Sequence, residues 1–326
     1  MRDWLYRVWY EGGRGGWLLW PLAGLFGVLS ALHRALFRWG IKPSQAVDAR
    51  VIVVGNIAVG GAGKTPVTGW LAQALADAGA RVAIVSRGYG GNAVSPLQVR
   101  ADTDPAVAGD EAVMQVRQSG LPVFVGRDRV AACQLAIAEG AEVIVCDDGL
   151  QHYRLRRDIE IAVVDGERRH GNGWLLPAGP LRETPARLAT VDHVLVHGGS
   201  AGDFHLDVDH AVNLANGERR SLTTFKGQTL HAVAGIGHPE RFFLALEQHD
   251  ITVQRVPLPD HAAAPAVLGS LDSRYDVLMT DKDAVKYVGA DARFWRVPAM
   301  VVMERTKAQA VLTSCWPAAG SGGEHD

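Results

Sequence analysis

Val51-Ile52-Val53-Val54 is followed by Gly55-Asn56-Ile57-Ala58-Val59-Gly60-Gly61-Ala62-Gly63-Lys64-Thr65. The β-branched run reads as a short buried strand, the glycine-rich run as a tight turn, and residues 67–78 as the helix that follows. Such a turn points several backbone N–H groups at one spot, where the helix N-terminus adds a partial positive charge, and phosphate binds there. Lys64 is placed to reach the β- and γ-phosphates of a nucleotide, and the Thr65 hydroxyl to bind magnesium. Gly60, Gly61, Ala62, Gly63, Lys64 and Thr65 are therefore the expected nucleotide-binding residues. The strict pattern has glycine where this chain has Ala58, so the match is slightly relaxed.

Outward from this turn, strands alternate with helices. Strands are expected at 81–85, 122–125, 142–146, 159–164 and 191–196, with helices at 111–118 and 129–139. That alternation predicts an α/β fold, a P-loop NTPase core with a mainly parallel sheet covered on both faces. Gly198 to Ser200 and the polar stretch after it mark a connection. Residues 44–200 are read as the core and 201–326 as a second, smaller α/β domain. The latter has strands at 230–234, 253–256, 277–280 and 299–303 and a helix at 239–248. The tail after Trp316 is expected to be disordered.

A phosphate loop of this kind needs a second carboxylate for the metal, delivered from the end of a neighbouring buried strand. Val143 to Cys146 is that strand, and Asp147 and Asp148 end it where ligands bind in open α/β sheets. The competing reading is a solvated Asp-Asp-Gly turn. A P-loop alone does not separate a kinase from a GTPase, an ATPase or a transporter motor, but no clear N-K-x-D guanine signature is present. The run from Gly60 to Thr65 is also similar to dimeric ATPases whose loop begins Lys-Gly-Gly, but Val59 stands in place of that lysine.

Among 326 residues, 33 Lys and Arg against 35 Asp and Glu leave a net charge of -2. No global field for nucleic acid follows. Cys133, Cys146 and Cys315 lie far apart, which argues against a disulfide framework or a zinc site. The N-terminus differs from this average. Residues 17–32 carry no charge, and as a helix they would extend about 24 Å, short of a hydrocarbon core of roughly 30 Å. Leu18, Leu22, Leu25, Leu29, Leu32 and Leu36 form one apolar stripe, with Trp4, Trp9, Trp17, Trp20 and Trp39 around it. Residues 1–43 are read as a membrane-associated helix lying in or dipping into a surface, against the alternatives of a signal peptide or a buried core helix.

The ordered set of segments resembles a family, the tetraacyldisaccharide 4'-kinases of lipid A synthesis. The segments are Val54-Gly55-Asn56 with Gly60 to Pro66, Ser86-Arg87-Gly88-Tyr89-Gly90, Gly109-Asp110-Glu111, and Asp147 to His152. Leu176 to Glu183, Gly235 to Phe242, Asp260-His261 and Thr280 to Lys286 continue it. Two departures are Asp281, where the family usually has Glu, and His238, where Asn is commoner. The resemblance implies an ATP- and Mg²⁺-dependent lipid kinase. Its acceptor would be the 4'-hydroxyl of a tetraacylated glucosamine disaccharide 1-phosphate at the cytoplasmic face of the inner membrane. It implies no nucleic acid and no protein partner.

By the same resemblance, Asp110 matches the catalytic aspartate, His261 its histidine partner and Glu183 a member of the metal shell. Read from residue preferences alone, Asp110 is a helix N-cap and His261 a surface histidine. Arg87, Tyr89, Gln151 and His152 fall at the same sheet edge as Asp148 and are expected to contact the disaccharide or its phosphate. Arg154, Arg156 and Arg157 are read as a solvated or headgroup-facing patch. The competing function is a P-loop ATPase serving metal or cofactor insertion, which passes phosphate only to water.

Overall fold

The computed structural model describes residues 2–199, 202–259, 265–287, 289 and 291–316. Ahead of the first strand stand two helices, α1 (Arg2–Tyr10) and α2 (Trp20–Arg38), the latter continuous with a 3₁₀ turn at Gly16–Leu19. β1 (Arg50–Gly55) gives way through the glycine turn to α3 (Lys64–Asp77). Alternation continues through β2 (Val82–Ser86), β3 (Leu97–Val99), α4 (Pro105–Ala108), α5 (Asp110–Ser119), β4 (Val123–Val125) and α6 (Arg129–Ala138). β5 (Val143–Asp147), β6 (Ile159–Asp165), β7 (His193–His197) and β8 (Phe204–Asp207) follow. The remainder comprises β9 (His210–Asn213), β10 (Arg219–Ser221), β11 (Thr229–Ala234), α7 (Pro239–Glu247), β12 (Thr252–Pro257) and α8 (Pro265–Leu268). β13 (Val277–Thr280), α9 (Asp281–Ala284), β14 (Phe294–Val297), β15 (Met300–Met303) and α10 (Arg305–Cys315) complete it.

A nine-stranded sheet has the order β15-β8-β7-β6-β1-β5-β2-β4-β3, and a six-stranded sheet the order β10-β9-β14-β13-β11-β12. From β8 to β4 every neighbouring pair in the larger sheet is parallel, and the edge strands β15 and β3 are antiparallel. Parallel pairs need crossover connections, and α3, α5 and α6 are among those that supply them. Because helices cover both faces, the central strands carry continuous apolar runs rather than an alternation. On one face Ile52, Val54, Ile84 and Val145 pack with Leu71 and Leu75 of α3 and Val113 of α5. On the other, Val51, Val53 and Val85 pack with Val130 and Ala136 of α6. In the smaller sheet, Phe243 and Leu246 of α7 pack with Phe225 and Trp295.

The boundary expected at residue 200 does not coincide with the division between the sheets. β8 lies beyond it yet pairs with β7, and β15 returns from the smaller sheet to pair with β8. α10 then buries Val311 and Cys315 in the same core as Leu71. Without β15, β8 would be an open edge, and the antiparallel addition closes it. A strand of four residues carries no mark of which sheet it will join, which is why sequence neighbourhood misassigned it. The tail after Trp316 lies outside the described residues.

The helical run Gly16–Arg38 has 23 residues and is long and apolar enough to cross a membrane by length and composition, with 6% of its apolar window buried. It extends past Leu32 to Arg38, beyond the uncharged residues 17–32 that mark it in the sequence. The core-helix alternative fails, because Leu18, Leu22, Leu25, Val28, Leu29 and Leu32 are all exposed. The opposite side of α2 is docked. Trp20 stacks on Trp174 at 4.7 Å, and a Cβ on Gly27 would stand 2.8 Å from Leu175 Cδ1, so the helix lies close against that side chain.

Candidate active site

The glycine turn between β1 and α3 is built as its composition demands. Gly63 caps α3 with φ 91°, a conformation that costs a residue with a side chain free energy. The relaxed position is not one of these. Ala58 is absent from the residues of positive φ and forms an antiparallel bridge with Leu181, while Val59 N donates to Pro180 O at 2.9 Å. No glycine is needed where the backbone is extended and paired. Lys64 and Thr65 open α3, and the Lys64 Nζ rests 3.4 Å from Gly60 O and 3.8 Å from Asp148 Oδ1.

Parallel pairing sets Val54 of β1 beside Asp147 of β5, and this register delivers both acids to the mouth of the loop. Asp147 is 4% exposed and accepts from Thr68 Oγ1 at 3.3 Å and Gln115 Nε2 at 3.1 Å. Burial, with the neighbouring charges of Glu111 and Asp148, pushes its carboxyl up to about 6, against a partial lowering by Lys64 and a hydrogen bond from Thr65. Asp148 has φ 49° and is bound through both oxygens by Arg182 Nη1 at 2.9 Å. Burial pushes its carboxyl up, but Lys64 and Arg182 outweigh that and hold it below the usual range.

These donors fit magnesium. Among the described residues no group of three or more His, Cys, Asp or Glu side chains is arranged to hold an ion by itself. A hydroxyl and one or two carboxylates beside a phosphate site are the usual protein share for this ion, which keeps waters and phosphate oxygens as its other ligands. Two acids crowded near Lys64 also form a cluster that a cation would relieve. Glu183 lines the same cleft but is engaged: its carboxylate accepts from the Tyr153 hydroxyl and lies 3.3 Å from Arg187 Nε. It is 8% exposed, so it is a buried pair and not a surface one.

Of the expected acceptor-binding residues, Arg87, Tyr89, Gln151 and His152 all line one cleft with the loop, a cavity of about 1980 Å³. Gln151 is partly committed, donating to Asn56 O at 3.0 Å and accepting from Arg182 at 3.3 Å. His152 is pushed down to about 4 by burial and by Arg129 and Arg157, so it is neutral near pH 7. Arg157 leaves the solvated patch expected for it. Its guanidinium donates to Leu150 O at 2.9 Å, His152 O at 2.6 Å and Glu160 Oε1 at 3.1 Å, pinning the turn that carries His152. Arg154 pairs with Asp128 in solvent.

Asp110 is not the cap of α5. Gly109 is, with φ 88°, and a Cβ there would meet Tyr89 O at 2.4 Å. Asp110 therefore stands in the first turn, 6% exposed, with Lys286 Nζ 3.3 Å from its Oδ2. His261 lies outside the described residues.

Several residues of the cleft went unread in the sequence. Arg241 of α7 donates to Asp165 at 3.0 Å and Glu167 at 2.6 Å, tying the smaller sheet's helix to the end of β6. A Cβ on Gly237 would stand 3.6 Å from Gly61 N, so the turn before α7 lies over the phosphate loop. His197, at the end of β7, packs against Gly63 and stacks on Phe204 at 5.0 Å. Arg168 lies over the rings of Tyr6 and Tyr10 of α1, each at 5.3 Å, and donates to Gly237 O at 3.3 Å. Arg241 sits inside a quoted segment, so its position was visible; His197 and Arg168 carried no signal.

A family model described as tetraacyldisaccharide-1-P 4'-kinase matches residues 16–316. A relative named tetraacyldisaccharide 4'-kinase from Nitrosococcus oceani is 44% identical over 315 residues, covering 95% of this chain and 93% of its own. One of the same name from Halorhodospira halophila is 48% identical over 299 residues, covering 89% and 90%. Among solved structures, LpxK from Aquifex aeolicus in complex with ATP matches with a TM-score of 0.78 at 26% identity, covering 91% of this chain and 98% of that one.

The buried Asp147 makes stability depend on pH. Its folded value near 6 lies above the ordinary 3.8. Between about pH 4 and 6 the folded chain holds a proton that the unfolded chain has released, so stability falls as pH rises through that window. Asp147→Asn removes this dependence. Gln115 Oε1, buried without a hydrogen-bond partner among the described residues, lets that amide turn over to accept from the new side chain. In metal- and nucleotide-free protein at pH 8 the variant should be more stable by about 3 kcal/mol, an advantage that vanishes near pH 4. A melting temperature at pH 8 equal to or below the parent's would contradict the account.

Proposed function

The chain belongs to the tetraacyldisaccharide-1-P 4'-kinase family, and on that footing we propose how the residues of its cleft divide the work. It is a kinase of lipid A biosynthesis that transfers the γ-phosphate of ATP, with magnesium, to the 4'-hydroxyl of the tetraacylated disaccharide 1-phosphate. The insertion-chaperone ATPase is not favoured by these matches. The observation that carries the division of roles is one cleft lined by Lys64 and Thr65, by Asp147 and Asp148, and by Phe26 and Leu29 of the largely exposed α2.

The loop amides and Lys64 hold the β- and γ-phosphates, while Leu206, Val208, Phe242 and Val297 give the same cleft an apolar wall suited to the base. Thr65, Asp147 and Asp148 are the oxygen donors for magnesium, with Glu183 beside them. The ion, when bound, neutralises the phosphate oxygens as charge shifts during transfer. Asp110 accepts the proton of the 4'-hydroxyl as its oxygen bonds to phosphorus. The role of His261 as its partner rests on the family resemblance. Arg87 and Tyr89, both exposed in the cleft, face the acceptor from one side, and Gln151 and His152 from the other. A neutral His152 suits a sugar hydroxyl better than a phosphate.

We infer that the chain works at the inner membrane, on its cytoplasmic side where ATP is found, and without a protein partner; the exposed apolar face of α2 supports the membrane contact. Leu22, Leu25 and Val28 do not line the cleft and are more than half exposed. Replacing all three with Gln should lower partition into phospholipid vesicles at least about tenfold, since each buried side chain contributes about 1.5–3 kcal/mol. Unchanged sedimentation with vesicles would remove the face from the membrane contact.

Asp110→Asn keeps the shape and loses the base. Turnover should fall about 10²- to 10⁴-fold with ATP affinity little changed. A role confined to the helix terminus predicts a nearly silent variant, and an active Asp110→Asn enzyme would establish it.

A further inference from the structure

We propose that Lys286 is a positioning residue for Asp110, so that docking of α9 on α5 orients the carboxylate that takes the hydroxyl proton. The inference rests on the reading of Asp110 as that base. Its geometric support is a seam between the two sheets. Lys286 Nζ lies 3.3 Å from Asp110 Oδ2, with the two side chains 14% and 7% exposed. Beside it Lys282 Nζ lies 3.2 Å from Glu111 Oε1, and Gln118 of α5 donates to Asp281, which also binds Arg296 at 2.9 Å.

Lys286 is itself held. Asp283 Oδ1 lies 3.8 Å from its ammonium, and the other oxygen of Asp283 accepts from Gly235 N at 2.7 Å and Thr280 Oγ1 at 2.6 Å. Gly235 begins the turn that lies over the phosphate loop at Gly237. The segment Thr280 to Lys286, containing α9, thus ties together the cover of the phosphate site and the carboxylate. With Oδ2 on Lys286, Oδ1 lies toward Gly90, 3.8 Å from where a Cβ on that glycine would stand. An acceptor oxygen fixed in direction removes a rotation that the transition state would otherwise have to freeze.

A pair that merely joins the sheets predicts something else. Its loss would lower the melting temperature and raise KM as the cleft loosens, leaving kcat for the bound complex alone. Steady-state kinetics in both substrates and thermal melts of Lys286→Met, Lys286→Arg, Asp110→Asn and the Lys286→Met/Asp110→Asn double variant separate the two. Lys286→Met should lower kcat on the order of 10- to 100-fold with the KM for ATP little changed. Lys286→Arg, which keeps the charge, should recover most of that loss. Adding Lys286→Met to Asp110→Asn should cost nothing more, because both act on one step. If Lys286→Met does not fold, Lys286→Gln, which keeps a hydrogen bond without the charge, should show the same loss in kcat. A normal kcat, a defect confined to KM and melting temperature, or losses that multiply would overturn the proposal. A dead Asp110→Asn beside a fully active Lys286→Met or Lys286→Gln would sink it alone, whereas an active Asp110→Asn would take the base reading with it.

Discussion

The parallel pairing of β1 with β5 is the constraint on which the rest depends. Val54 opposite Asp147 places the glycine turn and two carboxylates at one edge of one sheet. A slip of one residue would exchange the faces of every side chain in β5 and send Asp147 elsewhere. The register is secured by burial on both faces, since Val143 to Cys146 are fully buried between α3 on one side and α6 on the other. Phosphate binding then needs little further construction, because the amides and the helix terminus come with the turn. The acids are kept close despite mutual repulsion by Lys64, Arg182 and the hydrogen bonds of Thr68 and Gln115.

The smaller sheet contributes to the site through two ionic seams on either side of the phosphate loop. One joins Arg241 to Asp165 and Glu167, and the other joins Lys282 and Lys286 to Glu111 and Asp110. The Glu167 side chain is exposed and that of Glu111 partly so, and their pairs are worth little; the buried pairs of Asp165 and Asp110 are also weak sources of stability, because desolvation cancels much of the attraction. They are directional, however, and directionality is what a site assembled from two sheets requires. β15 and α10 reinforce the arrangement by carrying the chain back to the larger sheet, so the smaller one is an insertion joined at both ends.

Legibility in the sequence followed locality. The placement of the glycine turn and of Asp147-Asp148 at one sheet edge was readable because strand, turn and helix are contiguous in the chain. The parallel core was readable from its apolar runs. Asp110 was not: its preferences spelled a helix cap, and only kinship with other sequences marked it, while the cap proved to be Gly109. Lys286 and Arg241 stood inside recognisable segments, but their partners, Asp110 and Asp165, lie far off along the chain. Long-range pairing leaves no local trace. Ala58 shows the opposite case, a departure from a pattern that becomes harmless once its extended backbone is seen to pair with Leu181.

The cleft joins the glycine turn to an exposed apolar helix, a geometry suited to bringing a soluble donor to a lipid-bound acceptor. The central claim is that the phosphate leaves ATP for a sugar oxygen and not for water. The direct test is to incubate the protein with γ-labelled ATP, magnesium and tetraacyldisaccharide 1-phosphate, then locate the label. The account predicts label on the 4'-oxygen of the lipid, lost in Lys64→Ala, with little released as inorganic phosphate. Label found only as inorganic phosphate, or transfer undiminished in a folded Lys64→Ala protein, would contradict it.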